Sequence, residues 1–472
     1  MNKVVKSLRE AIILSGLQSG MTISFHHNLR AGDTIAVQII NEICSLGIKD
    51  IRIAPTSLLS GHDPIGKYIE NRTITRIESS GFTPLTGKVL QQNFLKEVAL
   101  LRTHGGRAQD IEKGNISIDV AFIAVSRCDK NGNCTGSAGK SAFGSLGYSI
   151  MDARYAKKVI VVTDELSQEP IYPISIDQTY VNYVVEVDNI GDPSGIVSTS
   201  TKISADPVNL KIAKTTAEII GYSGYLMDGF CFQAGASGIS LAVIKYLEKI
   251  MLDKGISGRF GMGGITAGMV EMLNKGLFKV LYDTQTFDLP AIESLRQNLN
   301  HIEVSASMYA NPEARGGCLV NELDCVVLGA TEIDTDFNVN VHTDSNNRLI
   351  SGAGGHGDTA EGAKMTIITA PSFRSRIPTI VDRVNTISTP GKYVDVYVSQ
   401  RGVAINTSIP KNAELAYRLK NAGIPIVDIH DLKKDTERIT GKPDKVKKGD
   451  RTVAKIIWRD GSVIDEIKSL SE

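Results

Sequence analysis

An internal repeat constrains the fold of this chain more than any other feature of its sequence. Residues 119–133 read as Asp, an aliphatic run, a small residue, a hydroxyl, and then Asp and Asn, and residues 324–338 repeat that order. Three polar residues and their repeats are each 205 positions apart: Asp119 and Asp324, Asp129 and Asp334, and Asn133 and Asn338. A period this long is that of a whole domain and not of a solenoid unit. We therefore predict two similar tandem domains, residues 1–205 and residues 206–472.

The two halves share an alternation of short aliphatic runs with helical patterns. Residues 51–54, 159–162 and 394–398 predict strands, while residues 34–44, 208–220 and 413–422 predict helices. The pair Asp460-Gly461 predicts a hairpin near the end of the chain. Strands that alternate with helices favour mainly parallel sheets flanked by helices, so the predicted fold class is α/β.

Composition excludes several classes of partner. The 472 residues are 42% hydrophobic, and Lys+Arg and Asp+Glu both total 52, so the formal net charge is zero. This balance leaves no excess positive charge that would favour binding to nucleic acid or to an acidic membrane. The six cysteines contain no Cys-x-x-Cys pair, and no apolar run reaches the length of a membrane span or a signal sequence. We therefore expect a cytoplasmic protein with reduced thiols.

Three glycine clusters lie in the second half, within residues 233–240, 261–266 and 351–364. Glycine admits positive φ and lets main-chain N–H groups approach a ligand closely. Such loops can surround a phosphate, a carboxylate or the oxyanion of an attacked carbonyl. The alternative for any one cluster is a tight turn, but three clusters in one half favour a binding site.

Histidine and arginine residues follow two predicted strands in the first half: His26, His27 and Arg30, and then His104 and Arg107. Ligands of open parallel sheets gather where strands end, and guanidinium groups pair bidentately with carboxylates. This pattern favours an acid with several carboxylates, and the alternative is ordinary surface histidines in salt bridges. A zinc site is disfavoured because neighbouring histidines diverge on a strand and no third ligand has metal spacing. Walker and Gly-x-Ser-x-Gly motifs are absent from the sequence, and a dinucleotide loop is disfavoured by glycine spacing.

Six segments in this order resemble the citrate lyase alpha subunit family: MTISFHHNLR at 21–30, HGGR at 104–107, FGMGGIT at 260–266, DTQTF at 283–287, EIDTDFNVN at 332–340 and SGAGGHGD at 351–358. The resemblance spans essentially the whole chain, although members often carry further residues before the first helix. It implies two tandem domains of the CoA-transferase fold, in agreement with the repeat. It also implies an enzyme, a citrate CoA-transferase of the citrate lyase complex.

The implied reaction exchanges the acetyl group on a carrier thioester for citryl and releases acetate. The implied partners are citrate, an acetyl thioester, and the beta (lyase) and gamma (acyl carrier) subunits in an oligomeric complex. No tightly bound cofactor or metal is expected, since the phosphopantetheine thioester is carried by the partner subunit, or is replaced by acetyl-CoA. The alternatives are a CoA-transferase or acyl-CoA hydrolase for another acid, and a non-catalytic metabolite-binding module.

The resemblance also suggests a mechanism. Related transferases that form a covalent intermediate use a glutamate in a Thr-Glu-Met-like segment, where this chain has Gln285. Because an amide cannot form an acyl anhydride, we expect direct attack of a citrate carboxylate on the acetyl thioester, through a mixed anhydride. Gln285 is expected to orient the carboxylate or the carbonyl by hydrogen bonds. The expected oxyanion donors are the N–H groups of Gly235, Gly238, Gly354 and Gly355. A covalent role for Glu332 is the alternative.

The predicted substrate-binding residues are His26, His27, Arg30, His104, Arg107, His356, Gly263, Gly264, Asn338 and Asn340. The histidines and arginines are assigned to citrate carboxylates. The two asparagines are assigned to pantetheine amides, or else complete a turn.

Overall fold

The computed structural model describes residues 2–26, 28–197, 202–444 and 446–471. The strands of the first half are β1 (Val4–Val5), β2 (Thr22–Ser24), β3 (Ile51–Ile53), β4 (Ile74–Ser79), β5 (Ala99–Arg102), β6 (Val120–Val125), β7 (Arg127–Asp129), β8 (Cys134–Thr135), β9 (Lys158–Thr163), β10 (Leu166–Ser167) and β11 (Tyr183–Glu186). Its helices are α1 (Leu8–Ser15), α2 (Ile35–Ser45), α3 (Gly66–Glu70), α4 (Pro84–Gln91), α5 (His104–Lys113) and α6 (Ser149–Tyr155).

The second half follows the same alternation. Its helices are α7 (Pro207–Tyr222), α8 (Gly238–Lys254), α9 (Ala267–Asn274), α10 (Leu289–Gln297), α11 (Ala306–Ala310), α12 (His356–Gly362), α13 (Asn412–Asn421) and α14 (Ile429–Thr440). Its strands are β12 (Cys231–Ala234), β13 (Gly258–Ile265), β14 (Phe278–Thr286), β15 (His301–Glu303), β16 (Cys325–Gly329), β17 (Glu332–Asp334), β18 (Val339–Asn340), β19 (Met365–Thr369), β20 (Phe373–Arg374), β21 (Ile377–Pro378), β22 (Ile380–Val381), β23 (Val396–Ser399), β24 (Gly402–Ile405), β25 (Lys448–Ile457) and β26 (Val463–Leu470).

Two large sheets organise the molecule. The first has the order β1-β11-β9-β6-β2-β3-β4-β5-β25-β26, and the second has the order β15-β14-β13-β12-β16-β19-β23-β24. All neighbours pair in parallel except the last pair of each sheet, β25 with β26 and β23 with β24. The predicted α/β class with mainly parallel sheets and flanking helices is therefore confirmed.

The first polar residue of the repeat makes equivalent hydrogen bonds and ion pairs in each half. Asp119 accepts a hydrogen bond from the Thr22 N–H and pairs with Lys157, at 2.8 and 2.7 Å. Its repeat, Asp324, accepts from the N–H that begins β12 and pairs with Lys364, both at 2.8 Å. Each aspartate thus joins the start of two neighbouring strands and the chain that enters a third. Both halves need an aspartate at this position to make these contacts, which explains why the repeat is visible in the sequence.

The end of the chain returns to the first half. Strand β25 pairs in parallel with β5, with Ile457 opposite Arg102, and β26 completes the edge of the first sheet. The predicted hairpin turn is present, with Gly461 at a φ of 86°. Residues 206–472 therefore contribute strands to both sheets, and the boundary near residue 205 stays a prediction. Among the described residues, no helix combines the length and apolar character that crossing a membrane requires.

Candidate functional site

A cavity of about 420 Å³ lies between the two sheets and takes its lining from both halves. Residues that follow β3, β4 and β5 line one side, and residues at the ends of β12, β14 and β16 line the other. The carboxyl ends of both parallel sheets therefore face the same space, as expected for ligand sites of this class. Eight of the predicted site residues contribute to the lining: Arg30, His104, Gly235, Gly264, Gln285, Gly354, Gly355 and His356.

Arg30 is the one arginine or lysine among the described residues that line this cavity. Its side chain is buried, and its Cζ lies 5.0 Å from the ring centroid of Phe287. Burial lowers the pKa of Arg30 to about 10, so the guanidinium remains charged at neutral pH. Its φ of 54° lies in the left-handed region, which costs a non-glycine residue about 1 to 2 kcal/mol. A strained, buried cation in a cavity favours an anion-binding role.

His104 and His356 are neutral in this structure and add no charge to the cavity. Burial lowers the pKa of His104 to about 3, with Arg107 as a further cause, and burial lowers that of His356 to about 4. The His356 ring nitrogens already contact the Thr389 hydroxyl and the Gly329 carbonyl, at 2.8 and 3.0 Å. The His104 ring packs against the Tyr148 ring at a tilt of 43°, with ring centroids 4.4 Å apart. The predicted set of positive charges therefore reduces to Arg30 beside neutral hydrogen-bonding groups.

Strand β14 carries Gln285 into the cavity. The pairing of β13 with β14 shifts register between Gly263 and Gly264, which places Gly264 opposite Gln285. A β-bulge re-aims the following side chains, and bulges are frequent beside active sites. Gln285 is 4% exposed, so its amide is largely removed from bulk water.

The glycines of β13 make room for side chains of the site. A Cβ on Gly263, whose φ is 98°, would lie 2.6 Å from the Cδ of Gln233. A Cβ on Gly264 would overlap the ring of Phe287. Gly264 lines the cavity itself, whereas Gly263 lies just outside it and supports Gln233. The cluster thus positions two cavity side chains that the sequence analysis did not single out.

The predicted oxyanion donors differ in their availability. The Gly235 N–H donates to the Val327 carbonyl at 2.7 Å, so it is already paired. Gly238 begins α8, outside the cavity lining. Gly354 and Gly355 do line it, and the Gly354 carbonyl accepts from the His104 N–H at 3.0 Å. We therefore keep Gly354 and Gly355 as the proposed donors.

His26 and Arg107 belong to a buried ion cluster behind the cavity. Both side chains contact Asp152, which Arg107 binds through two nitrogens at 2.9 and 2.8 Å and His26 contacts at 3.0 Å. Burial by itself would raise the pKa of Asp152, but Arg107 and His26 hold it well below its ordinary value. These two residues therefore lie behind the cavity lining and support it through Asp152. His27 lies outside the described residues.

Asn338, Asn340 and Glu332 are engaged in turns away from the cavity lining. Asn338 donates to Asp334 at 3.2 Å, and its repeat Asn133 donates to Asp129 at 2.8 Å in the same arrangement. Asn340 donates to Glu332 at 2.9 Å and is fully buried. The turn alternative therefore describes both asparagines better than a pantetheine contact, and Glu332 lies outside the cavity lining.

Asp358 joins the two halves beside the cavity. Its carboxylate accepts hydrogen bonds from the Thr103 hydroxyl at 2.7 Å and the Gly105 N–H at 2.9 Å, at the start of α5. Arg459, at the tip of the returning hairpin, lies 3.7 Å from the same carboxylate and donates to the Ala310 carbonyl at 2.9 Å. These contacts hold His104 against the glycine loop.

We expect Asp358→Asn to abolish the decrease in kcat/KM that the wild-type protein shows at low pH. Burial raises the pKa of Asp358 to about 6, although Arg459 and the donors at Gly105 and Thr103 oppose the shift. The carboxylate is therefore ionised above pH 6, and protonation below that value weakens both hydrogen bonds. The wild-type kcat/KM should fall as the pH drops through about 6, by about 10-fold.

The measurement is the ratio of wild-type to Asp358→Asn kcat/KM between pH 5 and pH 8, in which ionisation of the substrates cancels. The ratio should decrease toward low pH. A ratio independent of pH would remove Asp358 from the titration.

Gly264→Ala should destabilise the protein and damage the site together. The new Cβ overlaps the Phe287 ring, and overpacking of this kind costs about 1 to 3 kcal/mol in the free energy of unfolding. Gly221→Ala in α7 is the matched control, because its Cβ would approach no atom closer than 3.4 Å. Denaturant unfolding of both variants checks this, and equal stability of the two would contradict it.

Sequence reasoning missed Tyr148, Gln233, Tyr309, Asp358 and Arg459. Gln233 and Asp358 lie within the glycine-rich segments 233–240 and 351–364, so proximity to glycines was the available signal. Tyr148, Tyr309 and Arg459 have no local pattern, because their proximity arises from chain segments far apart in sequence.

The sequence of this chain matches a protein-family model and known relatives. A family model described as citrate lyase, alpha subunit, matches residues 1–470. The citrate lyase alpha chain of Klebsiella pneumoniae is 45% identical over 468 residues, covering 99% of this chain and 91% of the relative. That of Haemophilus influenzae is 44% identical over 470 residues, covering 100% of this chain and 93% of the relative.

Solved structures show the same fold. The alpha subunit of citrate lyase from Streptococcus mutans, crystallised in complex with citrate, superposes with a TM-score of 0.96 at 44% identity. The match covers 100% of this chain and 92% of that chain. The alpha subunit of a malonate decarboxylase from Acinetobacter baumannii has a TM-score of 0.69 at 14% identity, over 92% of this chain and 91% of that chain, and shows the fold alone.

These matches confirm three predictions from the sequence: the family resemblance, the fold class and the assignment of the chain as an enzyme subunit. The family model spans almost every residue, and the relatives exceed 40% identity over nearly their whole length. The chain therefore belongs to the citrate lyase alpha subunit family.

Proposed function

We propose that this protein is a citrate CoA-transferase, which exchanges acetyl for citryl on an acyl-carrier or CoA thioester and releases acetate. The observation that carries the proposal is the chemical character of the cavity. Arg30 supplies a buried positive charge, and neutral donors surround it. The Streptococcus mutans relative crystallised in complex with citrate supports citrate as the acid.

Direct attack is the mechanism that this lining supports. Among the described residues that line the cavity, none is Asp, Glu, Cys or Lys. A covalent acyl-enzyme of the glutamyl type needs a carboxylate within reach of the thioester. Gln285 has the position in which such a carboxylate would act, and an amide is not a nucleophile of that kind. The acyl acceptor is therefore citrate itself.

The reaction has two acyl transfers. A citrate carboxylate oxygen adds to the acetyl carbonyl, and collapse of the tetrahedral adduct expels the carrier thiolate and leaves a citryl-acetyl mixed anhydride. The thiolate then adds to the citryl carbonyl and expels acetate. The first step forms an acyl C–O bond and breaks a C–S bond, and the second forms a C–S bond and breaks a C–O bond, so citrate and acetyl thioester become citryl thioester and acetate.

The cavity residues have distinct roles in this scheme. Arg30 binds a citrate carboxylate and withdraws it from water. Gln285 donates from its amide to the reacting carboxylate or carbonyl, and the N–H groups of Gly354 and Gly355 stabilise the oxyanion. His104, neutral at physiological pH, acts by hydrogen bonding and not by charge.

The proposal includes the wider assembly. The acyl donor is a phosphopantetheine thioester on an acyl carrier (gamma) subunit, and the product passes to a lyase (beta) subunit within an oligomeric complex. No tightly bound cofactor is required. We infer a cytoplasmic location from the six free cysteines, which a reducing compartment keeps as thiols.

The test mixes the purified chain with citrate and acetyl-CoA, and mass spectrometry follows citryl-CoA and acetate. Formation of both products in equal amounts supports the proposal. Release of acetate without citryl-CoA would indicate a hydrolase, and exchange with other acids but not citrate would indicate a different transferase. Stabilisation by citrate with no exchange, from acetyl-CoA or an acetyl-carrier protein, would indicate a non-catalytic binding module.

A further inference from the structure

Gln233 is a buried residue of the cavity lining whose hydrogen bonding is incomplete. Its side chain is 6% exposed, and its Nε2 donates to the Tyr309 hydroxyl oxygen at 3.0 Å. Its Oε1 has no hydrogen-bond partner among the described residues and is shielded from bulk water. A buried acceptor without a donor costs free energy, and native proteins pair almost all such groups. A ligand group that enters the cavity can supply the missing donor.

The Gln233 amide is held in place by its neighbours. Gly263 gives it space, since a Cβ there would lie 2.6 Å from its Cδ. Tyr309 fixes the Nε2 end, and burial raises the pKa of Tyr309 well above its ordinary value, which keeps the phenol neutral. The amide oxygen is thus a preorganised acceptor and not a group that rotates freely.

The chemistry of the substrate decides which group can pair with this oxygen. The carboxylates of citrate are ionised at neutral pH and accept hydrogen bonds only, so they cannot satisfy Gln233 Oε1. Arg30 and the neutral donors of the cavity suit those carboxylates. The tertiary hydroxyl of citrate is the donor that remains.

We infer that Gln233 accepts a hydrogen bond from the hydroxyl of a hydroxy-acid substrate and so selects citrate over acids that lack this hydroxyl. The inference rests on the proposed function and adds its specificity determinant. A site built to bond a hydroxyl rejects the analogue without it, because the analogue leaves the buried group unpaired. The amide N–H of a pantetheine arm is the other possible source of the donor, and the test separates the two.

The experiment compares citrate with propane-1,2,3-tricarboxylate, the same acid without its hydroxyl, as acceptor from acetyl-CoA. The wild-type protein should prefer citrate in kcat/KM by about 5- to 150-fold, the ratio expected from one buried acceptor left unpaired. Gln233→Leu should reduce this preference to near unity. Gln297→Leu, the same change on α10 outside the cavity, should leave the preference unchanged.

Each outcome bears on one claim. No citryl thioester from wild-type protein would overturn the proposed function, whereas efficient citryl transfer with no preference between the acids would overturn the inference alone. A Gln233→Leu variant that loses affinity for acetyl-CoA but keeps the preference would assign the donor to the pantetheine arm. Should that variant fail to fold, calorimetric binding of both acids to wild-type protein decides, and equal affinities would overturn the inference.

Discussion

Arg30→Met is expected to weaken citrate binding by about 30- to 5,000-fold, corresponding to about 2 to 5 kcal/mol. Arg30 is the one cationic side chain among the described lining residues, and it is buried against Phe287. The neighbouring histidines cannot substitute for it, because burial keeps their pKa values near 3 and 4. Removal of the guanidinium therefore leaves a trianionic acid to be bound by neutral donors. The loss should appear in the Kd and KM for citrate and not in the KM for acetyl-CoA.

The matched control is Arg376→Met. Arg376 is also an arginine with positive φ, at 64°, but it is exposed and lies outside the cavity. It should therefore report any general effect of the substitution. Arg30→Lys separates charge from shape, since lysine keeps the charge but loses the planar fork that pairs bidentately with a carboxylate. An unchanged citrate Kd in Arg30→Met would show that the carboxylates are bound elsewhere.

The repeat made the fold predictable because it records contacts that are local to each half. Asp119 and Asp324 each bind the start of a strand and a lysine of the same half, and Asp129 and Asp334 each cap a turn with an asparagine four residues on. Strand β25 could not be placed from sequence. It pairs with β5 across more than 300 residues, and no local pattern encodes such a partner.

The sequence predicted several residues of the cavity correctly, but it did not predict which of them carry a charge there. Arg30 and His104 were identified because they follow predicted strands, whose ends converge in a parallel sheet, and the loop at 351–358 was identified by its glycines. Arg107 has the same sequence context, yet Asp152 binds it behind the cavity. The charge state of His104 depends on its burial by both halves, which only the assembled structure reveals.

In the proposed mechanism, Gln285 takes the place of the glutamate that covalent catalysis would need. Gln285→Ala is expected to lower kcat by about 10²- to 10³-fold, the usual effect of removing one preorganised donor from a reacting carbonyl. Gln297→Ala, a change of the same kind on α10 outside the cavity, should leave kcat unchanged. The citrate Kd of Gln285→Ala should change much less than its kcat, because the lost hydrogen bond acts mainly in the transition state.

Trapping experiments with acetyl-CoA alone extend this prediction. Direct attack predicts no acetyl or CoA adduct on any wild-type side chain, since the described cavity lining has no carboxylate, thiol or amine nucleophile. The resemblance to covalent transferases implies that Gln285→Glu would place a carboxylate where their glutamate acts. That variant should therefore release CoA thiol and hold an acetyl group as a glutamyl anhydride, which hydroxylamine captures at residue 285. An adduct on the wild-type protein, mapped by peptide mass spectrometry, would contradict direct attack, because it would show that the acyl group passes through the enzyme before citrate receives the thioester.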